Sequence, residues 1–123
     1  MGERERLVLC EGNPFLGMEA GMEIVIDGPT LVLNGDFDVR STWMARSVIY
    51  DHLESVEGDV VLDVSGVSSA DVTALKLLAV ATRQAHAEGR HLTLHGCTPA
   101  VRRMLHLSRL YRVLEVENSP LIA

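Results

Sequence analysis

The chain has 123 residues, 47% of them hydrophobic, and a formal net charge of −6. This length and apolar content support one domain with its own core and exclude an intrinsically disordered chain. The acidic balance argues against general nucleic-acid binding and against docking on an anionic membrane.

The opening MGERERLVLCEG is charged and does not read as a secretory signal. No stretch approaches the roughly 20 apolar residues of a membrane helix. The two cysteines, Cys10 and Cys97, form no CxxC pair, which favours free thiols in a cytoplasmic protein over a disulfide framework. Residues 1–20 read as an extension with little structure of its own, docked at most by Phe15 and Leu16; residues 21–123 read as the domain.

From Met22 the pattern sharpens. Met22, Ile24 and Ile26 alternate with Glu23, Val25 and Asp27, which predicts a half-buried strand. Gly28-Pro29 is a turn, and residues 30–33 form a second strand, making an antiparallel hairpin. The next helix, over residues 42–56, is capped by Asp38 or Ser41 and buries Ala45, Val48, Ile49 and Leu53, with Trp43 or Val56 beside them.

Val60-Val61-Leu62 is an unbroken apolar run, expected in a parallel strand covered on both faces. A small-residue loop, residues 65–70, leads to Asp71. A carboxylate there caps a helix and suits the positive end of its dipole. Leu75, Leu78, Ala79 and Thr82 follow at helical spacing, and Gly89 stands where a helix stops. Leu77 and Ala81 fall off that stripe and read either as interface residues or as part of a wide core. Thr73 places a hydroxyl in the helix's first turn, beyond the carboxyl end of a strand, where α/β sheets tend to carry their sites.

Residues 91–94 make a further strand, parallel to the one before it by the usual right-handed crossover. Thr98 caps a third helix with Pro99 at its first position. That helix turns Val101, Met104, Leu105 and Leu107 inward. Residues 113–116 read as a last strand, and residues 119–123 are too few for another stable helix. The fold class is α/β: a mixed sheet of about five strands, with an N-terminal antiparallel hairpin, then βαβα units, and helices packed against it.

Three segments in order resemble the STAS domain, the fold of bacterial anti-sigma factor antagonists. Leu33-Asn34-Gly35-Asp36-Phe37-Asp38 is similar to the family's Gly-Glu-Leu-Asp signature. Residues 61–67, VLDVSGV, resemble its central strand and turn. Thr98-Pro99-Ala100-Val101-Arg102 with Ser108-Arg109-Leu110 resembles its Ser-Pro-Ala-Val-Arg helix and following Ser-Gly-Leu.

In that family Asp-Ser-Ser-Gly-Leu opens the central helix, and its second hydroxyl residue is phosphorylated by a partner that is both anti-sigma factor and kinase. Here the aligned residues are Asp71, Val72, Thr73, Ala74 and Leu75. The resemblance therefore implies Thr73 as phosphoacceptor and a partner surface of Asp38, Asp71, Val72, Thr73, Ala74, Leu75 and Leu77. Val72 and Ala74 depart from the motif. The partner it implies is an anti-sigma factor with kinase activity. The second reading is a STAS scaffold or constitutive binding module, in a signalling complex or as a transport-associated subunit. A homodimer contact along the last strand is compatible with either.

No enzymatic activity, cofactor or metal is expected. There is no P-loop, Gly-x-Ser-x-Gly or Gly-x-Gly-x-x-Gly. His91 and His95 would share a strand face about 13 Å apart, too far for one ion. His52, His86 and His106 fall on three different helices with no local ligand pair.

Overall fold

The computed structural model describes residues 5–9 and 22–116. Strands β1 (Glu5–Leu9), β2 (Met22–Asp27) and β3 (Thr30–Phe37) precede helix α1 (Thr42–Ser55). Then come β4 (Val60–Ala70), α2 (Val72–Ala87), β5 (Leu92–His95), α3 (Pro99–Ser108) and β6 (Glu115–Val116), with a 3-10 turn over Leu110–Arg112. One six-stranded sheet holds them in chain order, β1-β2-β3-β4-β5-β6. β1, β2 and β3 pair antiparallel, and β3 through β6 pair parallel. The expected mixed α/β sheet is present, with one strand added at its N-terminal edge: residues 5–9 are strand, not loose extension. Phe15, Leu16, Cys10 and residues 119–123 lie outside the described residues.

Each parallel connection advances the sheet by one strand in the same direction. With right-handed crossovers this places all three helices on one face. The core lies between them and the sheet: Ile24, Leu31, Leu33, Leu62, Leu92 and Leu94 meet Ile49, Leu75, Leu78 and Leu105, all buried. Val61 and Asp63 point the other way and are only half-buried. The run 60–62 is thus covered on one face, not two; its lack of alternation reflects valine's fit to a pleated surface as much as burial.

The largest difference from expectation is the length of β3 and β4. Residues 65–70 were expected as a loop and the second strand was expected to end near residue 33, yet residues 34–37 and 66–70 pair with one another, from Asn34 with Gly66 to Phe37 with Ala70. Register shifts between Val32 and Asn34 and between Gly35 and Asp36 let the pairing continue. Gly66 lets Asn34 lie close: a Cβ there would fall 2.0 Å from Asn34 Oδ1, and that side chain would have to turn away.

Helix ends follow local chemistry. Asp71 caps α2 by accepting from Ala74 N–H at 2.9 Å, and Arg90 N–H closes its far end onto Ala85 C=O at 2.8 Å, with Gly89 at φ +76°. Thr98 caps α3 through Val101 N–H at 3.3 Å. At α1, neither proposed cap acts through its side chain. Ser41 is the N-cap residue, but its buried hydroxyl turns back to Asp38 C=O at 3.2 Å, and the Asp38 carboxylate is taken by Arg40. Leu107, expected inward, is 70% exposed on α3, and Trp43 is 46% exposed on α1. Val48 and Met104 are only partly buried.

Candidate functional site: the α1–α2 groove and the start of α2

β3 and β4 end side by side, and their parallel direction brings the next two chain segments together. The β3–α1 loop, residues 38–41, lies against the first turn of α2. The link is Asp71. Its Oδ1 caps its own helix, while its Oδ2 accepts from Val39 N–H at 3.0 Å across 32 residues of sequence. Asp71 N–H in turn donates to Phe37 C=O at 3.2 Å.

Two more carboxylates sit on this rim. Asp38 accepts from Arg40 Nη2 at 2.7 Å and from Arg40 Nε and backbone N–H, each at 3.0 Å. The Arg40 hydrogen bond holds the Asp38 carboxyl below its usual range, against the opposing effect of partial burial. Asp36 accepts from Ser69 Oγ at 2.9 Å and lies 3.6 Å from Arg40 Nη2. One arginine therefore screens two acids.

The Thr73 side chain is exposed in the first turn of α2. It stands at one end of an open groove of about 400 Å³ between α1 and α2. Trp43, Arg46 and Tyr50 line it from α1; Thr73, Lys76, Leu77 and Val80 line it from α2. On both helices these positions recur at i, i+3 and i+7, the spacing of one helical face. Trp43 and Val80 are exposed large apolar side chains, and the Arg46 guanidinium carbon lies 5.8 Å from the Tyr50 ring centre.

The expected site residues divide. Asp38, Asp71, Val72, Thr73 and Leu77 keep some surface, and Leu77 also packs on the core. Ala74 and Leu75 do not: they are 0% and 1% exposed, so their side chains face inward and offer a partner nothing. The added methyl of Ala74 fills core space and puts no obstacle on the surface. Ala81, left open between core and interface, is buried. Trp43, Arg46, Tyr50, Lys76 and Val80 were not anticipated as site residues. Their signal was available: Trp43 and Tyr50 repeat at i, i+7 on the α1 face away from Ala45 and Ile49.

The fold also brings together two histidines that the sequence keeps apart. His86 at the end of α2 and His91 just before β5 both meet Glu115 in β6, with His91 Nδ1 2.9 Å from Glu115 Oε2 and His86 Nε2 paired to the same oxygen. The β5–β6 pairing assembles this cluster from residues far apart in sequence. The Glu115 hydrogen bond raises the His91 pKa. Burial pushes Glu115 up, but the hydrogen bonds and charges of the two histidines outweigh it and the net direction is down.

A family model described as "Mlab, STAS domain" matches residues 22–115. The chain belongs to the STAS family. Among curated proteins, none matches this STAS domain in sequence. Solved structures match its fold. The Thermotoga maritima protein TM1081 is 19% identical with a TM-score of 0.66, covering 80% of this chain and 87% of its own. An anti-sigma factor antagonist from Mycobacterium paratuberculosis is 18% identical with a TM-score of 0.61, covering 96% and 88%. The Bacillus cell fate determinant SpoIIAA in its phosphorylated form is 16% identical with a TM-score of 0.57, covering 80% and 92%. Among the described residues of this STAS domain, no helix is long and apolar enough to cross a membrane.

Proposed function

We propose that this STAS domain is an anti-sigma factor antagonist-like regulator of transcription in the cytoplasm. It binds an anti-sigma factor that is also a kinase, and the Thr73 hydroxyl is the acceptor. The observation that carries the reading is the exposed Thr73 at the mouth of the groove walled by Trp43 and Val80. An exposed tryptophan beside an apolar groove suits a protein anchor.

The acceptor needs only exposure and alignment; base and magnesium come from the kinase. The Thr73 oxygen bonds to the γ-phosphorus, the bond to ADP breaks, and the hydroxyl proton goes to the kinase's base. The product adds about −1.5 to −2 charge at the groove mouth. The helix N-terminus tolerates that charge, and Lys76 and Arg46 line the same groove. Covering a phosphate with an apolar partner face then carries a desolvation penalty, and the partner leaves without any unfolding. We assign the domain no catalytic step of its own.

A second reading is a constitutive binding module. It is favoured by Val72, which places a half-buried branched side chain where the family motif has a hydroxyl. Mixing the protein with candidate anti-sigma kinases and ATP, then mapping phosphate by mass spectrometry, separates the two. Label on Thr73, absent in Thr73→Ala, supports the switch. Binding without label supports the constitutive module, and label elsewhere rejects Thr73.

A further inference from the structure

We propose that His86, His91 and Glu115 form a binding site for a borderline divalent transition-metal cation of the zinc class. One donor atom from each residue lies within 4.8 Å of the others. Two metal bonds of about 2.1 Å at a tetrahedral angle set donors about 3.4 Å apart, so small side-chain shifts close the site. Two imidazoles with one carboxylate suit zinc, copper or nickel rather than magnesium or calcium, which prefer oxygen alone. All three side chains retain surface, at 46%, 59% and 31% for His86, His91 and Glu115, so an ion can enter and water can complete its shell.

The backbone holds the three residues in place. Gly89 N–H bonds His86 C=O at 2.9 Å, which tightens the turn between the two histidines. His91 is pinned on both sides: its N–H donates to Asp59 Oδ1 at 3.0 Å, and its C=O accepts from Val60 N–H at 2.9 Å. Glu115 is set by its pairing with Thr93. The nearby cation, Arg90, is turned away; its guanidinium bonds Leu53 C=O, Val56 C=O and Glu88. The two rings stand 81° apart with centres 5.4 Å from one another, edge to face rather than stacked.

The site lies at the opposite end of the domain from Thr73. His86 follows Thr73 by thirteen positions along α2, about 20 Å of helix. A bound ion would therefore fasten the short last strand, β6, to α2 and β5 while leaving the α1–α2 groove clear.

The test uses the full, untagged chain titrated with Zn²⁺ by calorimetry and with Co²⁺ by visible absorption. The expected result is one ion per chain, a rise in Tm with Zn²⁺, and imidazole shifts confined to His86 and His91 in NMR spectra. His86→Ala, His91→Ala and Glu115→Gln each weaken binding by about tenfold or more and abolish the Tm rise, whereas His106→Ala leaves both unchanged. Glu115→Gln keeps the side-chain shape, so folding is preserved while a charged ligand is lost. No binding in large molar excess of Zn²⁺, or binding that survives in all three variants, overturns the proposal.

Discussion

The carboxylate of Asp71 joins Val39 to Ala74: one oxygen accepts from the loop residue at 3.0 Å, the other from the helix residue at 2.9 Å. A single side chain thus caps α2 and fixes the loop that carries Asp38. Asp71→Ala removes both bonds. We expect a loss of about 1–3 kcal/mol, combining a cap with a charge-assisted bond, read from urea midpoints. A loss under about 0.5 kcal/mol would show that water replaces both.

Thr73 and Leu75 are two residues apart and should behave oppositely. Thr73→Ala changes an exposed site and should shift stability by no more than about 0.5 kcal/mol. Leu75→Ala hollows the core and should cost about 2–5 kcal/mol. Any loss of partner binding in Leu75→Ala therefore reports unfolding, whereas a loss in Thr73→Glu at unchanged Tm reports the surface.

Gly96 has φ +77°, and a Cβ there would approach Ser65 Cβ to 2.8 Å and its Cα to 3.3 Å. Gly28 has φ +61° but open space around it. Gly28→Ala should cost about 1–2 kcal/mol from backbone strain alone. Gly96→Ala adds crowding of about 1–3 kcal/mol and should be the worse of the two in denaturant titrations. Equal costs would mean that Ser65 yields freely.

Arg109 is the one non-glycine residue with positive φ, at +64°, among the described residues. It ends α3 in the conformation glycine takes most readily. Arg109→Gly relieves the Cβ strain at some entropic cost and should raise stability by about 0.5–1 kcal/mol. A lower urea midpoint would show that the arginine side chain holds a contact that outweighs its backbone.

Asp38 sets an acid limit. Its folded-state pKa lies below the ordinary 3.8 because of Arg40. The stability it supplies is complete above that value and is lost as pH falls through the folded pKa. Arg40→Gln should return the Asp38 titration, followed by carboxyl NMR, toward 3.8. The stability gap between variant and parent should be present at neutral pH and close as pH falls through the parent's lowered Asp38 pKa. A gap that persists there would assign it to packing of the arginine.

Much of the architecture was legible because its signals are local. Asp71, Thr98 with Pro99, and Gly89 marked helix ends by their own chemistry, and each works as expected. What stayed hidden depends on partners distant in sequence. Residues 65–70 look like a loop until Asn34 to Phe37 is laid beside them. Trp43 reads as core until Ala45 and Ile49 are seen to take the buried side. Ala74, included in the expected partner surface, is core. Asp38 was expected as a cap of α1, and its pairing with Arg40 two residues on is a matter of side-chain geometry that spacing does not reveal.

The strand order has a kinetic meaning. Since every strand lies beside the one made just before it, the sheet can grow edge by edge in the direction of synthesis. From β2 onward each newly emerged strand finds one docking edge already formed, and only the leading edge of the growing sheet stays open until the next strand is made.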